Sequence, residues 1–149
     1  LTLADALIFA KNLGLNRIID VATLTGAIRV ALGQVRMGLF TNNQALANKV
    51  LEAGEITGEK MWQLPMDEEY KELNKSDVAD LKNTGGPAAG SITAALFVGE
   101  FAGETSWVHL DIAAVNMTDK ESGLLVKGAT GIPVRALIHL AKDLANASS

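Results

Sequence analysis

The chain has 149 residues, 48% of them hydrophobic and 20% charged, with 17 acidic and 13 basic side chains for a net charge of −4. That length fits one compact domain, and the composition excludes a disordered or fibrous chain. With no basic stripe the chain is a poor partner for nucleic acid, and with no cysteine it has no disulfide, cysteine–zinc site or thiol nucleophile. No apolar run reaches the roughly 18–20 residues of a membrane span, so no membrane partner is expected. The longest, Ile92 to Phe101, is broken by Thr93, Gly99 and Glu100. No secretion leader is visible, and a soluble cytoplasmic protein is the expectation.

The chain begins on Leu1, and helical patterning starts at once, an unusual opening for a whole gene product. Thr2 and Asp5 have capping-box spacing, and Leu3, Ala6, Leu7, Ala10 and Leu13 follow at helical intervals, predicting a helix over about 2–13 that stops at Gly14. Arg17 to Ala22 is short, β-branched and apolar, the pattern of a buried strand. It runs into Thr23-Leu24-Thr25-Gly26 and a short helix, Ala27 to Leu32, closed by Gly33. Met37 to Thr41 reads as a second strand and Gln44 to Ala53 as an amphipathic helix. Met61 to Leu64 is a short apolar piece before Pro65, and Asp67 to Asn74 a charged, solvated helix. The turn-rich segment Asn83 to Gly90 opens onto a helix of small residues, Ser91 to Phe101. Ser106 to Ile112 is the third clear strand, followed by irregular chain to about Thr130. The last helix sets Val134, Leu137, Ile138, Ala141 and Leu144 on one face, with Pro133 in its first turn, where a missing N–H costs nothing. Strands alternating with helices predict a single α/β domain with helices on both faces of a sheet.

Chemistry-bearing residues are few. His109 and Asp111, two apart on a strand, share one face of the sheet, but two ligands leave a metal site incomplete, and a hydrogen-bonded structural pair is expected. His139 falls on the polar face of the last helix and reads as solvated. No Gly-x-Ser-x-Gly elbow occurs, which argues against a hydrolytic triad. Asp67, Glu68, Glu69 and Glu72 cluster with no apolar surround and read as a solvated face, while Asp20 lies within a strand with no obvious partner. The segment Gly85 to Gly90 lacks the Lys-Ser/Thr of a phosphate loop. Gly85, Gly86 and Gly26 instead allow close backbone approach. Ligands of open α/β sheets settle beyond the C-terminal strand ends. Here those ends carry Thr23–Gly26, Thr41–Asn43 and Ala113–Asn116. The residues alone point to a ligand crevice built of backbone and small side chains.

Seven blocks carry a family resemblance. In order they are Leu1 to Leu7, Asp20 to Ala27, Trp62 to Pro65, Ala79 to Asn83, Gly90 to Phe97, Trp107 to Ala113, and Gly128 to Gly131. Together they resemble the C-terminal half of the catalytic domain of leucyl aminopeptidases, the cytosolic two-metal exopeptidases. The resemblance implies a three-layer α/β/α fold with a mixed, mostly parallel central sheet, residues 1–149 being one partial catalytic domain truncated on its N-terminal side. It implies removal of N-terminal Leu and other apolar residues from peptides by water activated between two divalent ions, zinc or manganese. It also implies a homo-hexamer.

In that family the block at Leu1 is immediately preceded by a motif of the form Asn-Thr-Asp-Ala-Glu-Gly-Arg. Its Asp and Glu bind metal, its Arg holds bicarbonate, and the other ligands and the catalytic Lys lie earlier still. The resemblance thus assigns this chain no catalytic residue and no metal ligand, no bound metal by itself, and no activity without the remainder of its catalytic domain. What it carries over is substrate contact. The Leu24 carbonyl and Gly26 amide would face the peptide backbone. Thr23, Gly26, Ala113 and Asn116 would line the pocket for the N-terminal side chain, and Thr84 the pocket for the next residue. Two departures stand out: Ala114 replaces the family's usual Gly, narrowing the pocket floor, and Pro87 stands where Arg is common. Two other readings remain, a non-catalytic α/β module binding a peptide or small anion, and a DNA-architectural role that the acidic balance opposes.

Overall fold

The computed structural model describes residues 1–146. Four strands, β1 (Arg17–Ala22), β2 (Met37–Thr41), β3 (Met61–Gln63) and β4 (Ser106–Asp111), form the main sheet in the order β1-β4-β2-β3. β1 pairs parallel with β4, and β2 parallel with β3, while β2 and β4 are antiparallel. The sheet is therefore mixed and mostly parallel. Helices α1 (Thr2–Asn12), α2 (Gly26–Leu32) and α4 (Gly90–Ala102), with a 3-10 helix at Glu68–Asn74, cover the face that bears Gly38, Phe40 and Trp107. Helix α3 (Gln44–Thr57) covers the other, with α5 (Val134–Asn146) packed against α3, giving three layers. Met117–Thr118 (β5) and Gly128–Ala129 (β6) pair as a small antiparallel ribbon within the stretch expected to be irregular.

Why these layers close so tightly is visible at three glycines. A Cβ on Gly38 would lie 2.5 Å from Ile28 Cδ1, and one on Gly99 would lie 2.9 Å from the Trp107 ring. Their bare backbones let α2 and α4 seat directly on the sheet. At Gly54 the intruder would meet the Glu59 carbonyl oxygen at 2.8 Å. Gly54 is thus a contact point inside α3 and not a stop, which is why the helix continues past the expected end at Ala53 to Gly58, a left-handed cap at φ 73°. Gly54→Ala is expected to cost about 1–3 kcal/mol through overpacking, read as a lowered urea midpoint.

The structure corrects the sequence expectations elsewhere. β1, expected to be a buried strand, is among the described residues an edge strand with only β4 beside it, and its apolar side chains are half-buried, whereas β2 and β4 are buried along nearly their whole length. Thr2 is not a cap: the helix begins on it, and Leu1 is the N-cap without a side-chain bond. The charged segment after Pro65 winds as a 3-10 helix with Asp67, Glu68, Glu69 and Glu72 exposed as expected, and its end is anchored by the buried Asn74, which donates to the Thr93 carbonyl at 2.7 Å. Lys71 on it reaches Glu68 at 3.0 Å and Glu100 of α4 at 3.3 Å. The hydrogen bond to Glu68 chiefly, then Glu100, raises the Lys71 pKa against the lowering effect of its partial burial. On α5 the buried side chains are Ala136 and Leu140, while Val134 and Ile138 stay 55% and 52% exposed. The helix packs mainly on α3, and the buried Glu59 carboxylate fixes its rotation by accepting from Ala136 N at 2.7 Å and Arg135 Nε at 3.2 Å. His139 is half-buried beside Lys49 and Asp143, not solvated.

Candidate functional site

Because β1 and β4 run parallel, their C-terminal ends open on the same edge of the sheet, with Ala22 opposite Asp111 and Ile112 N donating to the Ala22 carbonyl at 2.9 Å. From that edge the chain leaves once as Thr23–Gly26 and once as Ala113–Asn116. The fully buried Asp111 carboxylate fastens both exits. Its Oδ1 accepts from Leu24 N and Ala113 N, each at 3.1 Å. Its Oδ2 accepts from Thr25 N at 3.1 Å and Thr25 Oγ1 at 2.7 Å. Thr25 also caps α2, its Oγ1 accepting from Ile28 N at 3.1 Å. Since the one hydroxyl hydrogen of Thr25 goes to the carboxylate, Ser91 Oγ, 3.2 Å away, donates to Thr25 in turn and ties the turn to α4.

Leu24, Thr25 and Ala113 are therefore bonded to one carboxylate, with Thr23 and Gly26 their chain neighbours. Thr23 and Gly26 are exposed, Leu24 and Ala113 half-buried. A Cβ on Gly26 would meet open space, so no packing among the described residues demands glycine there. Asn116 lies one turn on, its N–H bonded to the Ile112 carbonyl and its carbonyl to Thr130 N. Thr84 comes from a separate segment and is exposed. Its neighbour Asn83 shares a cavity of about 270 Å³ with Leu24, Leu1, Ala4 and Phe97. A second, apolar hollow of about 390 Å³ lies between α2 and the glycine-rich segment, walled by Ala27, Val30, Pro87 and Ile92.

Two expectations change. Thr41–Asn43 is not part of this edge. β2 runs antiparallel to β4, so its end falls at the opposite rim, where Asn42 and Thr41 bond the Trp107 backbone and Asn43 caps α3. The close approach at Gly85 is internal: a Cβ there would strike Thr93 at 2.8 Å and Asn74 at 3.0 Å, not a ligand. The Ala114 methyl is buried with the hydrophobic core.

His109 does not pair with Asp111. Its Nδ1 lies 2.6 Å from Asp20 Oδ1, and Asp20 Oδ2 accepts from Trp107 Nε1 at 2.6 Å. The carboxylate has no proton to give, so Nδ1 carries the hydrogen, and the buried Nε2 is left without a partner. This triangle, which also gives Asp20 the partners its sequence context did not show, lies inside the sheet–helix interface and is structural. The clamp by Asp111 was likewise missed. Its only local signal is an Asx-type bond to the amide two residues on, Ala113.

The model of the cytosol aminopeptidase family catalytic domain matches residues 1–138. The chain belongs to the cytosol aminopeptidase family. Its sequence is 53% identical over 143 residues to a probable cytosol aminopeptidase of Koribacter versatilis, covering 96% of this chain and 28% of that protein. A second relative, from Gloeothece citriformis, is 55% identical over 139 residues, with 93% and 28% covered. Among solved structures, a mutant of tomato leucine aminopeptidase superposes with a TM-score of 0.87 at 50% identity, over 93% of this chain and 27% of that one. The chain thus spans less than a third of the length of these relatives. The divalent metal of a metallopeptidase finds no fit among the described residues. Asp111 and Asp20 are occupied by N–H and O–H donors. Among the described residues no three His, Cys, Asp or Glu side chains come together to hold an ion. No helix of the described residues is long and apolar enough to cross a membrane.

Proposed function

We propose that this chain is the substrate-facing part of a cytosolic aminopeptidase that removes Leu and other apolar residues from peptide N-termini. The remainder of the catalytic domain, upstream of Leu1, supplies the divalent ions, the lysine and the arginine, and the assembled enzyme is a hexamer. Residues 1–149 form one portion of that domain and by themselves hold no ion and cleave nothing. The observation that carries the reading is the pair of turns at one sheet edge, Thr23–Gly26 and Ala113–Asn116, held by a single buried carboxylate with Thr23 and Gly26 exposed.

In this reading the chain's own residues bind and orient. The Leu24 carbonyl and Gly26 amide align the peptide backbone. Thr23, Gly26, Ala113 and Asn116 enclose the N-terminal side chain, and Thr84 borders the next one. Small, weakly polar walls suit an apolar side chain, whose burial contributes about 1.5–3 kcal/mol. That converts to a preference for leucine over glycine of roughly 10- to 100-fold in kcat/KM.

The test is turnover of leucine and glycine anilides, with manganese or zinc, by the product of the complete reading frame that encodes this chain. Turnover with the stated preference by the complete protein, and none by residues 1–149 alone, is the expected result. Metal-dependent turnover by residues 1–149 would overturn the division of labour. A complete protein that binds a dipeptide and turns over neither anilide would support a non-catalytic module instead.

A further inference from the structure

We infer that Asp111 is a positioning residue of the aminopeptidase cleft, a buried clamp that aims the Leu24 carbonyl at the peptide. The inference rests on the reading proposed above. Asp111 cannot itself be a contact for substrate: it is fully buried, and its four acceptor positions are filled by Leu24 N, Ala113 N, Thr25 N and Thr25 Oγ1. What those donors have in common is their neighbours. The Thr25 N–H and the Leu24 carbonyl belong to one planar trans peptide and point in opposite directions. Fixing that N–H on Asp111 Oδ2 at 3.1 Å inside the protein therefore turns the Leu24 carbonyl away from the core. Thr25 Oγ1, on the same oxygen at 2.7 Å, fixes the residue just before Gly26, the first residue of α2. The Ala113 amide, on Oδ1, keeps the opposite wall at a set distance from Leu24. One carboxylate thus sets the width of the crevice and the direction of its backbone acceptor.

Neutral isosteres of this carboxylate fail for a geometric reason. In Asp111→Asn the amide NH2, whichever way it turns, faces two positions that now donate to oxygen, and at least one backbone N–H loses its acceptor. Thr25→Val keeps shape and removes only the hydroxyl bonds, and Thr25→Ser keeps the hydroxyl.

The complete protein is assayed on leucine anilide as wild type, Asp111→Asn, Thr25→Val and Thr25→Ser, with folded fraction measured alongside by circular dichroism. A backbone contact made equally in the ground and transition states acts on KM when lost. The expected result is a KM raised about tenfold or more in Asp111→Asn and several-fold in Thr25→Val, kcat per folded molecule nearly unchanged, and wild-type KM in Thr25→Ser. If Asp111→Asn does not fold, the two threonine variants decide the matter. A purely structural role predicts the reverse, an unchanged KM with activity falling in step with folded fraction, and that result overturns the inference. Wild-type protein that turns over nothing overturns the aminopeptidase reading, and the clamp's positioning role with it. Wild-type turnover with unaltered variant KM overturns the clamp alone.

Discussion

Asp20→Ala is expected to remove a large part of the protein's stability. It strips the acceptor from two side chains with no access to water, Trp107 Nε1 and His109 Nδ1, each 2.6 Å from the lost carboxylate. A buried donor left unsatisfied costs about 1–3 kcal/mol, so roughly 2–6 kcal/mol is lost in all. A typical domain has only about 5–15 kcal/mol to lose. Asp20→Asn keeps one acceptor and is expected to fall between wild type and alanine. Glu72→Ala, whose partner Lys75 at 2.6 Å is exposed, is expected to move the urea midpoint hardly at all. Equal midpoints for Asp20→Ala and Glu72→Ala would show that the triangle does not hold the sheet to its helices.

Residues 1–149 handled alone are expected to self-associate. The outer side of α1 presents Phe9 at 65% and its i+4 neighbour Leu13 at 63% exposure, and the open edge of β1 lies beside that helix. Contiguous exposed apolar surface and an unpaired parallel edge both seek partners. In the proposed enzyme the remainder of the catalytic domain covers them. Light scattering should show mass rising with concentration. Phe9→Ser with Leu13→Ser should weaken the association about 10- to 100-fold, as expected for partial burial of two large apolar side chains. A monomer at every concentration, with a cooperative melt at high temperature, would contradict this.

Much of the fold is legible from local pattern. The elements follow one another as their apolar periods predict, because each period is set by residues a few positions apart. What escapes is set by partners distant in the chain. Nothing near Arg17–Ala22 says that β4 is its only neighbour, and nothing near Thr41 says that β2 runs against β4, so the wrong rim was assigned to Thr41–Asn43. Asp20 finds its donors 87 and 89 positions away. The inward side of α5 is not legible in its apolar stripe because Glu59, on the α3–β3 connection, bonds Ala136 N and Arg135 Nε and fixes which side of the helix faces inward. At the site, the turns themselves were legible, since small residues after a strand announce a crevice. The carboxylate that joins them was not, because its bonds to Leu24 and Thr25 span 87 and 86 residues.

The most direct measurement is a structure of the complete protein with an apolar dipeptide bound. The account predicts the Leu24 carbonyl and Gly26 amide within about 2.7–3.2 Å of the dipeptide backbone, and the N-terminal side chain against Thr23 and Ala113. Side chains of residues 1–149 would chelate no ion. A dipeptide seated away from these turns, or a cation pair held by side chains of this chain, would contradict it.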